Sequence, residues 1–336
     1  MGFEKISISK EANQMREITY AEALKEALCE EMRRDKTVFI LGQDVKLVGG
    51  FSGISKEMVK EFGEARIKDT PISETAIVGA AIGSAIAGMR PVADMWFADF
   101  MFVAMNEIAL TATETRYMSG GQISVPMVLR SAMGGYIRSG AEHSRSPLAT
   151  YMHFPGLKIA FPSTPYDAKG LLKASIRDNN PVLFFEHKQL YRDKGPVPED
   201  EYLIPLSLAD VKREGTDVSV IATSYMVKKS LEVAEQLQKE GISLEVVDVR
   251  SFPLDKKTIL KSVKKTGRAV IVDEDFKTGG VGAEIGMVIM EEGFNSLKKP
   301  VRRVATEDMI LPYGPLEEQI LPSSKGITQA IKETVG

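Results

Sequence analysis

Short runs rich in β-branched and aromatic residues alternate with longer segments of helical periodicity, and the alternation occurs twice along the chain. Thr37–Leu41 (TVFIL), Arg90–Met95, VPMVLR from Val125, LKIAFP from Leu157 and NPVLFFE from Asn180 read as strands. The segments between them carry apolar residues at helical spacing: Tyr20–Asp35, Thr75–Met89, Phe100–Tyr117 as one long helix, and a helix from Pro165 capped by Thr164. Hairpin-joined sheets do not need such long apolar connections, whereas parallel strands do. The pattern therefore predicts a doubly wound, mostly parallel sheet with helices on both faces. From Gln189 to Leu206 the periodicity lapses into Tyr, Asp, Gly, Pro and Glu, the composition of a connector. The alternation then restarts with DVSVIAT, LEVVDVR, AVIVDED and VRRVAT as strands, and helices at Met226–Glu240, Lys256–Lys265 and after Gly282. The expected organisation is an N-terminal α/β domain over 16–190, a linker over 191–206 and a second α/β domain over 207–336.

Bulk properties exclude more than they identify. A net charge of -3 offers no chain-wide basic field, so neither nucleic acid nor an anionic membrane is an expected partner. The single cysteine, Cys29, allows no intrachain disulfide and no cysteine zinc cluster, which suits a reducing cytoplasm. No charged leader followed by an apolar core opens the chain, and the apolar run Thr75–Met89 falls short of the ~20 residues that span a bilayer. Gly79, Gly83 and Ala87 recur every fourth residue on this run, a spacing that permits close packing in the core or against another subunit.

General catalytic signatures are few: no Walker loop, HExxH or GxSxG is present, and the histidines number three. GGVGAE, Gly279–Glu284, follows a strand and opens a helix but lacks full dinucleotide spacing, so a structural turn is the expected reading.

Several motifs in order carry a resemblance: DTPISE at Asp69–Glu74, GMRPVADMWFADF from Gly88, RYMSGG from Arg116, AEHSRSP around His143, the long run from Pro155 through EHKQLYR, then VVDVRSFPLD and VDEDFKTGG. Together they resemble the β subunits of thiamin-diphosphate-dependent E1 components of 2-oxo acid and acetoin dehydrogenase complexes, within the transketolase-like superfamily. The resemblance runs from about Arg16 almost to the end. It implies a pyrimidine-binding transketolase-type domain followed by a transketolase C-terminal-type domain.

In that family a carboxylic acid hydrogen-bonds N1′ of the cofactor's aminopyrimidine, so that the cofactor's own 4′ nitrogen becomes the base for C2. The matching residue is Glu74. The role asks for a carboxyl that holds or shuttles a proton near neutrality, which apolar neighbours such as Ile72 promote. Phe100 matches the aromatic that stacks on the pyrimidine, where a flat face is the requirement. Trp96, one helical turn earlier if the helix begins there, stands where relatives vary and either lines the substrate side or simply packs. His143 matches a histidine at the mouth of the site that assists proton transfer or guides the lipoyl group, although Glu142 and Arg145 depart from its usual neighbours. His153 and His187 read as structural. The resemblance also implies a structural potassium ion held by Met127, Ser175, Ile176, Asp178 and Asn180, oxygen ligands suiting a hard cation.

Two departures stand out. Gln43 occupies a position that is usually acidic in the resembled family, where the acid is proposed to join a chain of carboxylates linking the two active sites; an amide hydrogen-bonds but cannot relay a proton in that way. No GDG motif with following asparagines is present, so diphosphate and Mg2+ are expected on an α subunit. The implied assembly is an α2β2 heterotetramer delivering acyl groups to a lipoyl-bearing E2. Its expected substrate is pyruvate or acetoin, with a branched-chain 2-oxo acid, a split transketolase-like half or a non-catalytic scaffold as alternatives.

Overall fold

The computed structural model of the protein describes residues 15–336; the expectation about the opening of the chain lies outside these residues. The first half contains strand β1 (Met15–Thr19), helix α1 (Tyr20–Arg34), β2 (Val38–Gln43), α2 (Met58–Phe62), β3 (Ile67–Thr70), α3 (Glu74–Ile86) and β4 (Arg90–Phe97). It continues with α4 (Thr113–Met118), β5 (Val128–Met133), α5 (Leu148–Met152), β6 (Lys158–Ala160), α6 (Pro165–Arg177), β7 (Val182–His187) and β8 (Lys194–Pro198). The second half comprises β9 (Asp210–Arg213), β10 (Val218–Ala222), α7 (Tyr225–Gln238), β11 (Leu244–Asp248), β12 (Ser251–Phe252) and α8 (Lys256–Thr266). It closes with β13 (Ala269–Phe276), α9 (Val281–Gly293), β14 (Arg302–Thr306), α10 (Glu317–Ile320) and α11 (Ser324–Val335).

The architecture is two α/β units. A seven-stranded sheet runs in the order β12-β6-β7-β5-β4-β2-β3, and all of its strands are parallel except β12. A five-stranded sheet runs β14-β13-β10-β11-β9 and is parallel except at the β9 edge. Central strands of both sheets are buried over most of their length, as expected where helices cover each face. Local chemistry sets the helix starts. Thr19 and Glu22 form a reciprocal capping box on α1, while Thr164 accepts from the Asp167 amide with Pro165 in the first turn of α6.

The two units share one core. A single cluster of buried apolar side chains extends from Ile77 and Ile108 through Phe161 to Phe252, Val263 and Ile285. The second unit sends β12 back to the first sheet, pairing Ser251 with Ala160 and Phe252 with Ile159. Buried polar contacts join them as well: His187 Nε2 lies 2.7 Å from Glu274 Oε2, and the Gly135 amide donates to the other oxygen of Glu274. Gly134 allows this approach. With φ at +89°, a Cβ there would lie 2.1 Å from His187 Nε2.

Four sequence expectations change. The connector holds a strand, β8, which pairs antiparallel with β1 from Met15↔Pro198 to Thr19↔Lys194; such nonlocal pairing leaves no apolar alternation to read. The long helix expected over Phe100–Tyr117 is broken into a 3-10 segment (Ala98–Ala104), a π segment (Glu107–Ala112) and α4. The strand before it runs on to Phe97, so Trp96 sits at a strand end with φ of +57° rather than one helical turn before Phe100. Gly79 and Gly83 are exposed, and a methyl added at either would meet nothing within 4 Å, so the close packing allowed by their spacing is not made within this chain.

Candidate functional site

In an open parallel sheet the carboxyl ends of the strands converge on one edge, and loops leaving that edge carry the binding residues. Here β2 ends at Gln43, β3 leads into Glu74, β4 ends at Phe97 and leads into Phe100, β5 leads into the His143 loop, and β7 ends at His187. Four of the sequence-derived positions, Gln43, Trp96, Phe100 and His143, are joined by contacts at this edge.

Phe100 lies edge-on to Phe97 (ring centroids 5.5 Å) and to His143 (5.4 Å), while His143 also meets Phe97 at 4.8 Å. The interplanar angles of 80–89° leave no ring stacked in parallel on Phe100. Trp96 donates its indole N–H to the carbonyl of Gln43 at 2.9 Å and lies edge-on to Phe51, which itself sits 4.6 Å from Phe97. The side chain of Gln43 donates to Asp44 at 3.3 Å.

Glu74 opens α3 and is half-buried. Its carboxylate has no hydrogen-bond or ion-pair partner among the described residues. The neighbouring Thr75 donates to the carbonyl of Val103 at 3.0 Å, which ties the first turn of α3 to the segment carrying Phe100. Ile72, by contrast, is 73% exposed, so within this chain it does not close an apolar pocket around Glu74.

Beneath the aromatic layer lies a charge network that sequence reading missed. Arg130 of β5 bonds both oxygens of Glu186 on β7 (2.7 and 2.9 Å) and Asp94 on β4 (3.1 Å). All three are buried, and burial pushes both carboxyls above their usual range. Asp94 also accepts from the Trp96 amide, and Tyr191 donates to Glu186. Lys188, one residue beyond β7, is buried, donates to the His143 carbonyl, and places its ammonium 5.1 Å from the centre of the Phe97 ring. Burial pulls its pKa down to about 8. No family-independent sequence signal exposes these residues, because each becomes meaningful only once distant strands are neighbours.

The expected cation ligands gather at the end of α6. Arg90 donates to the carbonyls of Ile176 (3.0 Å) and Asp178 (2.9 Å), Lys158 pairs with the Asp178 carboxylate, and Asn180 donates to Asp178. The Met127 carbonyl accepts from Val182 and that of Ser175 from the Asp178 amide. No group of three or more His, Cys, Asp or Glu side chains able to hold a metal ion occurs among the described residues. At the other glycine-rich turn, Asp273 accepts from the amide of Gly282 at 3.0 Å, so a carboxylate of this chain already meets the start of α9 where a phosphate was the weaker reading. No described helix is long and apolar enough to cross a membrane.

Residues 16–194 match the family described as transketolase, pyrimidine binding domain, and residues 207–327 match transketolase, C-terminal domain. The chain is 45% identical to the 2-oxoisovalerate dehydrogenase subunit beta of Bacillus subtilis, over 94% of this chain and 98% of that protein. It is 42% identical to the pyruvate dehydrogenase E1 component subunit beta of the same organism (96% and 99% covered). The acetoin:2,6-dichlorophenolindophenol oxidoreductase subunit beta of B. subtilis is 41% identical (96% and 98% covered). Among solved structures, a split gene transketolase, inactive beta4 tetramer, superposes with a TM-score of 0.78 at 23% identity, covering 95% of this chain and 98% of that one.

Proposed function

Given that the chain belongs to the transketolase-type family of E1 β subunits, we propose that it is one half of a thiamin-diphosphate site, completed by an E1 α subunit, in a 2-oxo acid or acetoin dehydrogenase complex. The observation that carries the reading is the meeting of Phe100 and His143, with the segment of Phe100 bonded to the first turn of α3, where Glu74 has no partner among the described residues.

The residues fit the pyrimidine half of the cofactor. Phe100 offers an aromatic face with no parallel-stacked neighbour among the described residues, and the Glu74 carboxyl, unpartnered among the same residues, suits holding a proton against a ring nitrogen. When bound, thiamin diphosphate supplies the nucleophilic carbon and the electron sink for cleavage beside a carbonyl. Glu74 holds or yields the proton at the pyrimidine edge, Phe100 fixes the ring plane, and His143 exchanges a proton with substrate oxygen at the mouth. Trp96, tied to Gln43, walls the substrate side. Mg2+ and the diphosphate belong to the α subunit in this reading, and the lipoyl group of an E2 receives the acyl product. A structural potassium ion at the Ser175–Asn180 turn is part of the same proposal; a carbonyl oxygen has two lone pairs, so Arg90 leaves acceptor capacity there.

The need for a partner is supported by the surface. Ile72, Ile86, Phe102, Val103, Leu110 and Tyr117 are all exposed, and α3 packs along the segments that carry Phe102, Val103 and Leu110. Exposed apolar side chains gathered on packed neighbouring segments suit an interaction face.

The test is Glu74→Gln in an assembly reconstituted with the α subunit and a lipoyl-bearing E2, assayed with pyruvate, 2-oxoisovalerate and acetoin. A positioned proton donor contributes about 10²- to 10⁴-fold, so turnover falls by at least about 10²-fold. Turnover at the wild-type rate would sink the catalytic assignment, and full activity of this chain without the α subunit would sink the half-site.

A further inference from the structure

We propose that Lys188 is a positioning residue for His143, holding the imidazole against the Phe97–Phe100 edge by fixing the carbonyl of the same residue. The inference rests on the functional reading above and adds a residue to it.

Burying an ammonium is costly unless it is paired or hydrogen-bonded, so a lysine that reaches inward from a strand end calls for specific partners. Lys188 has three. Its Nζ donates to the His143 carbonyl, it sits over the Phe97 ring at 5.1 Å, and the carboxylate of Asp99 attracts it. The His143 ring touches Phe97 at 4.8 Å and Phe100 at 5.4 Å, so the ammonium that grips the backbone of His143 also bears on an aromatic against which its imidazole rests.

Residue 143 itself makes few other backbone bonds among the described residues. Residues 134–147 contain no helix and no multi-residue strand, and the amide of His143 reaches only the carbonyl of Gly140 at 3.2 Å. The first part of the loop is anchored by the Gly135 and Arg138 amides, which donate to Glu274 and Glu317, and the Arg145 carbonyl accepts from the Gly134 amide; nearer the histidine, Lys188 from the end of β7 grips residue 143, and Asp99 from the turn after β4 lies 3.4 Å from Arg145. Asp99 is itself half-buried, and neither of its oxygens has a protein hydrogen-bond partner among the described residues. Its charge is therefore left to Lys188 and Arg145.

The charged groups facing Lys188 come from every side: Asp99 from the 98–104 segment, Glu274 from β13 and Glu317 from α10. All three are acidic and favour the ammonium, whereas burial opposes it and dominates, leaving the group to titrate at about 8. Below that pH the clamp is charged; above it the attraction to Asp99 and to the Phe97 face is lost and the His143 loop loosens.

The experiment uses the reconstituted assembly with α subunit and lipoyl E2. Lys188→Met keeps the length and removes the charge. Loss of one hydrogen bond from a charged donor corresponds to about 10- to 100-fold, so kcat falls by that factor, while KM for the 2-oxo acid and the affinity for thiamin diphosphate stay within about threefold of wild type. Lys188→Arg, which stays protonated at every accessible pH, restores kcat to within about fivefold and moves the alkaline limb of the wild-type profile upward from about pH 8. An unchanged kcat in Lys188→Met overturns the inference. So does a rise in KM at constant kcat, which would make Lys188 a substrate-binding group, and so does an alkaline limb that Lys188→Arg leaves in place, a readout that stands even if the methionine variant does not fold. Wild-type assemblies inactive on all three substrates would overturn the functional reading and this inference with it; active wild type with indifferent Lys188 variants would overturn the inference alone.

Discussion

Replacing Arg130 with Met tests whether the floor of the site is held by charge pairing. The guanidinium makes bonds of 2.7 and 2.9 Å to Glu186 and 3.1 Å to Asp94, bridging three neighbouring strands, and its side chain is 3% exposed. Methionine fills much of the volume but leaves two buried carboxyls facing each other without a cation. Breaking a buried pair in this way costs about 3–5 kcal/mol, because the uncompensated charge stays behind. With a urea slope of about 2 kcal/mol per molar, the unfolding midpoint drops by about 2 M. The probe is built in: Trp96 is the only tryptophan, and its amide donates to Asp94 at 3.1 Å, so its fluorescence reports this part of the first domain. The deficit shrinks in acid, where Asp94 and Glu186, already raised by burial, take up protons. Adding Glu186→Gln recovers a large part of the loss at neutral pH, since one stranded charge disappears while an acceptor for Tyr191 remains. A midpoint shift below about 0.5 M, or no recovery in the double variant, would refute the pairing argument.

Asp275 gives a pH dependence of opposite origin to an ordinary salt bridge. Burial first, and the neighbouring Asp273 second, push its carboxyl up to about 7, so the native state keeps a proton that the unfolded chain releases near 3.8. Its stabilising contribution is complete below 3.8 and is lost as pH rises through 7, up to about 4 kcal/mol over the window. Asp275→Asn, which resembles the protonated form, flattens the fall in Tm between pH 5 and 8; an identical slope in both proteins would contradict the assignment. For the Ser175–Asn180 turn, replacing sodium with potassium at constant ionic strength raises Tm, and a Tm that ignores the exchange would remove potassium from the proposal.

How much was legible in advance depends on the range of the interactions involved. Strand and helix types followed from local periodicity, and the caps at Thr19 and Thr164 from residues a turn apart. The break of the 98–118 segment was not legible, because its apolar spacing is compatible with one helix; Trp96 at φ +57° and the 3-10 and π turns appear only when the segment packs against α3 and β5. The strand β8 was invisible for a related reason, its partner β1 lying far away in sequence.

The sequence by itself determined the two α/β units and the family, and it singled out Glu74, Phe100 and His143 as candidates, since these are carried by short motifs and by patterns repeated every few residues. Only the tertiary structure decided that Trp96 bonds Gln43, that Arg130 joins Asp94 to Glu186, and that Lys188 reaches the carbonyl of His143. Those contacts join residues from about 36 to 56 positions apart through neighbouring carboxyl ends of a parallel sheet. A parallel sheet brings such residues together through strand order, and strand order is settled by the packing of the whole domain rather than by any local run of residues.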